Sequence, residues 1–509
     1  MNVFLKPFRN FAALLLAIMI STSCTTGSKV IDPLVQTESG LLQGVVNESG
    51  DIVSFKGVPF AAPPVGGLRW QEPQPPLPWE GTRDASRYGA SAIQVKAGSR
   101  LPWTEEFMVQ NEISEDCLFL NIWTPAKKAE DKLAVFVYIH GGGYSEGSGA
   151  IDVYNGEELA RKGIIVVTIN YRLGVLGFLA HPELTAESPH HVSGNYGILD
   201  QLAALEWIQK NIGAFGGDPS RVCIAGQSAG AGSVNSLILM PQASGLFQRA
   251  ITESGTRYAN SFLGMQTLEQ AEQTGIEFAE SKGAQTLAEL RDLSAEELMA
   301  RAPDAPFVRF SPVIDGYFQP GDMMSVFAEG KQNDTPFMNG FNAGETRYMG
   351  DRGEEFMKLY LPDGETDTVS AERLAGQEQT NMNTLLWMKY RAGNAKTDAY
   401  GYFFARAIPW PEHPEFGAFH TGEVPYVFNN LKMLDRPWTA TDTLVADQMS
   451  SYWANFTKNG DPNGEGLPVW SPYSSGSKEV MKIGEETGMI PVAGTTERFD
   501  FLESQMEGN

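Results

Sequence analysis

With 509 residues, 42% of them hydrophobic, the chain is long enough to bury a large core. Its formal net charge of −24 sets it against nucleic acid and anionic membrane surfaces as partners. The 62 acidic residues are scattered rather than blocked, which describes a solvated surface, and the length alone is compatible with two or three domains.

In chain order, the first feature is a targeting segment. Lys6 and Arg9 give a basic start, residues 11–20 are continuously apolar, and Ser21-Thr22-Ser23 precede Cys24. The apolar run is too short to span a bilayer and fits a secretory signal peptide over residues 1–23. The position of Cys24 resembles the lipobox of bacterial lipoproteins, whose cysteine is lipidated. Ser21 stands where that box has an aliphatic residue, so ordinary cleavage is the alternative. The expectation is an exported protein, either periplasmic, secreted, or held at the outer membrane by an N-terminal lipid alone. Residues 24–30 would be a tether and 31–505 one catalytic domain. Besides Cys24 the chain has only Cys117 and Cys223, so it does not read as stapled by disulfides.

Strand-like runs then alternate with helical ones. Residues 133–139 are a strand ending in His140 and three glycines, and 163–170 are a β-branched strand. Residues 198–212 have apolar positions at helical spacing; 221–225 are a short apolar strand; 231–240 are a helix ending before Pro241. Residues 268–299, rich in Glu, Ala and Leu, read as surface helices belonging to a cap over the site, and further strands fall at 335–341 and 399–404. This alternation predicts an α/β fold, a mostly parallel sheet with helices on both faces.

The chemistry centres on Gly226-Gln227-Ser228-Ala229-Gly230, between the strand at 221–225 and the helix at 231–240. A strand-to-helix turn this tight needs small neighbours, and it presents the serine hydroxyl at the top of a sheet. Unaided, a hydroxyl is a weak nucleophile; it needs a histidine base and an acid that orients the base. In this context the partners follow in the order Ser, acid, His. Of six histidines only His413 and His420 come after Ser228. His413 sits in the proline-pinned Trp410-Pro-Glu-His-Pro414, whereas His420 lies in a glycine-flanked loop, which favours His420 as base. Two acids qualify by following an apolar run, Glu345 and Asp315. His140-Gly-Gly-Gly-Tyr144 lacks the Gly-Lys-Ser/Thr of a phosphate loop, so its backbone N–H groups read instead as an oxyanion hole.

With these motifs the chain resembles the type-B carboxylesterases and cholinesterases of the α/β-hydrolase fold. The resemblance extends through Gly57–Trp70, Glu115–Asn121, Gly194–Gln201, Phe215–Pro219, Tyr452–Phe456 and Asn459–Asn463. It implies Ser228 as nucleophile, Glu345 as acid, His420 as base, and oxyanion donors from Gly142, Gly143 and Ala229. It also implies structural ion pairs Arg69–Glu115 and Arg172–Asp200. The family's partner for Cys117 is missing, because Ser91-Ala-Ile-Gln94 carries no cysteine, so Cys117 is expected free and buried. Gln227 stands where cholinesterases carry Glu, which weakens any case for a choline ester. The expected activity is hydrolysis of small-molecule carboxylic esters through an acyl-enzyme, with no cofactor and no metal. The alternatives are a non-catalytic binding protein on the same fold, and narrow specificity for aromatic (feruloyl-type) or carbohydrate esters.

Overall fold

The structure is a computed structural model that describes Met1 and residues 30–96, 98–256, 265–300, 308–361 and 366–507. Residues 2–23 of the expected signal peptide, Cys24, and all but the last residue of the expected tether lie outside the described residues.

Among the described residues, eleven strands join in one sheet. They are β1 (Val45–Val46), β2 (Val53–Pro59), β3 (Phe119–Thr124), β4 (Leu133–Ile139), β5 (Ile165–Ile169), β6 (Gly217–Gln227), β7 (Arg249–Glu253), β8 (Phe337–Asn342), β9 (Ala399–Phe404), β10 (Glu479–Ile483) and β11 (Gly488–Pro491). The order across the sheet is β11-β10-β9-β8-β7-β6-β4-β5-β3-β2-β1. From β10 to β5 all neighbours are parallel. At the edges β3, β2, β1 and β11 pair antiparallel. In β4 every residue after Leu133 is buried, and in β5, β8 and β9 every residue is. Such strands are covered on both faces, so they read as apolar runs without alternation.

The flanking helices are α1 (Tyr196–Asn211), α2 (Ala229–Leu239), α3 (Leu268–Ser281), α4 (Thr368–Arg391) and α5 (Ala440–Asn459). Helices α1, α2 and α5 pack on β6, and α4 packs on β8, β9 and β10. The strands and helices expected from sequence within the sheet are all present, with ends moved by a few residues. The largest shift is in β6, which starts at Gly217 rather than 221 and carries a register irregularity between Gly217 and Val222.

The 268–299 segment is helical as expected, as α3 followed by short helices Leu287–Asp292 and Ala295–Met299. Capping boxes at Thr267/Gln270 and Ser294/Glu297 start the first and last of them. Its placement differs from a cap over the serine. Phe278, Leu287, Leu290 and Leu298 pack on Trp70 and Leu176 in a cluster of their own. None of the described residues of this segment lines the cleft that holds Ser228.

Candidate active site

The parallel register brings the motifs to one edge of the sheet. Ile139, the last residue of β4, lies opposite Gly226 of β6, so the glycine loop after β4 emerges beside Ser228. The carboxyl ends of parallel strands are where open α/β sheets place their sites. Ser228 itself has φ 57° and ψ −120°, strained for a residue with a side chain. The turn is held by Ser228 N–H donating to Glu253 O (2.8 Å) and Gly232 N–H to Ser228 O (3.0 Å). The flanking glycines are steric requirements: a Cβ on Gly226 would lie 2.5 Å from the Gly230 carbonyl, and one on Gly230 would lie 2.0 Å from Ile139 O.

Gly142 (φ +102°) and Gly143 (φ +62°) adopt the left-handed backbone that suits glycine, and Gly141 packs against Ser228 Cβ. Among the described residues the N–H groups of Gly142 and Gly143 have no acceptor. Ala229 opens α2, so its N–H has no intrahelical partner either. His140 fastens this loop: its Nδ1 donates to Gly141 O (2.8 Å) and its ring stacks on Tyr171 (4.5 Å), whose hydroxyl donates to His140 O (3.0 Å). Burial lowers its pKa to about 4, so it is a neutral structural imidazole.

Strands β8 and β9 end level, Asn342 opposite Phe404, while β7 ends at Glu253 opposite Gly340, leaving room for Ser254 beside the end of β8. Glu345 follows β8, and the loop carrying His420 follows β9. His420 Nδ1 hydrogen-bonds Glu345 Oε2. Glu345 Oε1 accepts from Asn342 N–H (2.7 Å) and Ser254 Oγ (2.5 Å). Burial would raise the Glu345 carboxyl, but His420 and these two donors outweigh it and hold the group below the usual carboxylate range. An ionised Glu345 therefore faces Nδ1–H and leaves Nε2 for the serine. Gln227 Nε2 lies 3.3 Å from His420 Nε2. Ser228 Oγ makes no hydrogen bond to His420 among the described residues; such contacts tighten when substrate is bound.

The rejected candidates have other tasks. Asp315 Oδ1 accepts three backbone N–H groups of residues 317–319, and its Oδ2 accepts from Asn195 (2.7 Å), which makes it a turn carboxylate. His413 is half-buried beside Glu415 (3.1 Å). Arg69 grips Glu115 with two hydrogen bonds, 2.6 and 2.8 Å. Arg172 and Asp200 form a pair with side chains 4% and 0% exposed. Cys117 is free and buried.

Sequence reasoning missed the support behind the His420–Glu345 pair. Ser254, one residue past β7 with φ 55°, is the second donor to Glu345. Two further acids are fully buried, Glu253 and Glu423. Burial raises both, and for Glu423 the neighbouring Glu253 and Glu345 add to it. Trp453 Nε1 donates to Glu253 (2.7 Å), and Asn342 Nδ2 donates to Glu423. The cleft over Ser228 encloses about 950 Å³, part of it open to solvent, and Trp103, Phe107, Met108, Ile151 and Tyr154 form its apolar wall. Trp103 Nε1 donates to Thr421 Oγ1 (2.8 Å), tying this wall to the His420 loop.

Comparison with known proteins identifies the family and the fold. The sequence model of the Carboxylesterase family matches residues 31–360 and 353–502. The fumonisin B1 esterase of Sphingopyxis macrogoltabida is 35% identical over 92% of this chain and 90% of that one. The para-nitrobenzyl esterase of Bacillus subtilis is 35% identical over 89% of this chain and 95% of that one. Among solved structures, a Geobacillus stearothermophilus carboxylesterase superposes with a TM-score of 0.75 at 30% identity, covering 92% of this chain and 99% of that one. The fold is the α/β-hydrolase fold, and the chain belongs to the carboxylesterase family and is a carboxylic-ester hydrolase.

Proposed function

We propose that Ser228, His420 and Glu345 carry the hydrolysis through an acyl-enzyme. Ser228 Oγ attacks the ester carbonyl carbon while His420 Nε2 takes its proton, and the carbonyl π electrons move onto oxygen. The N–H groups of Gly142, Gly143 and Ala229 stabilise that oxyanion; each such donor is worth about 10²–10³ in rate. Collapse breaks the carbon–oxygen bond to the alcohol, which leaves with the proton from His420. Water then attacks the acyl-serine, its proton passing to His420 and on to Ser228 as the acid is released. Glu345 holds the Nδ1–H tautomer and balances the imidazolium throughout.

The observation that supports this reading best is the convergence of the Ser228 elbow, the His420–Glu345 pair and the unpartnered N–H groups of the glycine loop at one sheet edge. Replacing Ser228→Ala should reduce turnover of a simple aryl ester by about 10⁴–10⁶. An organophosphate should label Ser228 in the unaltered enzyme; retained turnover in the variant would sink the assignment. The apolar wall fits a hydrocarbon segment of the acyl or alcohol half. We also propose export, with Cys24 as the lipidated residue; mass spectrometry of the mature N-terminus, finding either a diacylglyceryl-modified Cys24 or an unmodified terminus, decides that point.

A further inference from the structure

The cleft over Ser228 runs against the charge of the molecule. The chain carries −24, yet among the described residues the charged side chains lining this cleft are Lys96, Arg100 and Glu146. Glu146 is committed to Arg100 (2.7 Å), whose guanidinium also lies over the Trp103 ring. Lys96 has no carboxylate partner among the described residues; its ammonium donates to the Gln110 carbonyl at 3.3 Å. On the floor, Gln227 puts a neutral amide directly before the nucleophile, and Glu345 is turned away into His420, Ser254 and Asn342. The lining is thus net positive, with the uncompensated charge on Lys96.

The local charge decides what binds. At physiological ionic strength the screening length is about 8 Å, so the distant acidic surface is largely screened, whereas Lys96, exposed at the mouth of the cleft, acts on a substrate within contact range. A competing reading, a lysine that is merely solvated at the rim, makes no distinction between substrates.

We propose that the preferred substrate is an ester that also bears a free carboxylate, and that Lys96 binds this anion while Ser228 attacks the ester carbonyl. The inference rests on the Ser228 reading of the site. A substrate carboxylate at Lys96 restores charge balance in the cleft. A cationic ester would meet Lys96 and Arg100 without gaining a carboxylate at position 227.

Two pairs of esters test this and show which half carries the anion. For the acyl half, mono-4-nitrophenyl adipate is compared with 4-nitrophenyl hexanoate. For the alcohol half, 4-acetoxybenzoate is compared with its methyl ester. The quantity read is the ratio of kcat/KM for the anionic over the neutral ester in the wild type, Lys96→Ala and Lys96→Glu. The ratio should fall about five- to tenfold in Lys96→Ala for at least one pair, as expected for a partly exposed charge-assisted hydrogen bond, and further in Lys96→Glu. It should also shrink in the wild type as salt is raised. A ratio that neither variant moves in either pair overturns this inference alone. Ser228→Ala retaining turnover would instead overturn the reading of the site on which it rests.

Discussion

Gly230→Ala is the substitution that tests the architecture of the site most directly. A methyl at this position would sit 2.0 Å from Ile139 O and 2.8 Å from His140 O. Both are backbone atoms at the end of β4, where no rotamer change can relieve the contact. An unstrained carbon–oxygen approach is about 3.3 Å, so the first turn of α2 must move away from β4 by about 1 Å. Helix propensity acts in the opposite direction, favouring Ala over Gly by about 1 kcal/mol. Overpacking against unyielding neighbours typically costs about 1–3 kcal/mol, which outweighs that gain. The larger consequence is functional, because β4 carries Gly141–Gly143 and α2 carries Ala229 and Ser228. Separating them by about 1 Å should lower kcat on the order of 10²-fold. Aryl-ester kinetics and urea unfolding read the two effects separately. Gly232→Ala is the control: its methyl would meet only the Tyr144 hydroxyl (2.3 Å), the far end of a side chain, so the loss should be smaller. Undiminished kcat in Gly230→Ala, with an unchanged urea midpoint, would refute the argument.

Three further outcomes follow from named contacts. Asp200→Asn leaves Arg172 buried without its counterion and should cost about 3–5 kcal/mol in urea denaturation, whereas the joint replacement Arg172→Met, Asp200→Leu should cost much less; equal costs would contradict the pairing argument. Ser254→Ala removes one charged hydrogen bond from Glu345 but keeps Asn342 N–H and His420, so kcat should drop about tenfold with little change in KM; an unaltered kcat would show that Ser254 does not help to hold the acid. Because burial raises the Glu253 carboxyl, the folded protein retains a proton there that the unfolded chain releases. That contribution to stability is complete below the ordinary carboxylate range and is lost as pH rises through the raised folded value. Glu253→Gln should therefore gain thermal stability relative to the wild type between about pH 5 and about pH 8, and a difference that stays constant with pH would argue against it.

The site was legible where chemistry coincides with local pattern. The elbow glycines, the glycine loop and the order of Ser228 before His420 could be read from spacing, because strand, tight turn and helix are local events. Chemistry alone left Glu345 and Asp315 open. The structure separates them by partners: Asp315 spends its oxygens on its own turn and Asn195, whereas Glu345 meets His420. The antiparallel edge strands β1, β2, β3 and β11 were not read, nor were the parallel strands β7 and β10, since they are short or lie inside motif blocks and carry weak periodicity. Ser254, Glu253 and Glu423 were invisible for another reason. Nothing in a serine or glutamate after an apolar run tells whether it turns inward until its neighbours across the sheet are known.

The parallel α/β core and the Gly226–Gly230 elbow were fixed by local sequence, because each depends on residues adjacent in the chain. The tertiary structure brought Glu345 rather than Asp315 to His420, set the 268–299 helices away from the serine, and walled the cleft with residues 94–96, Arg100, Trp103 and residues 107–109. Those outcomes depend on strand order and register. Two residues far apart in sequence become neighbours only when β4, β6, β7, β8 and β9 bring their carboxyl ends to one edge. Lys96 belongs to this second class: its charge is ordinary in the sequence, and it acquires meaning from the nucleophile that shares its cleft.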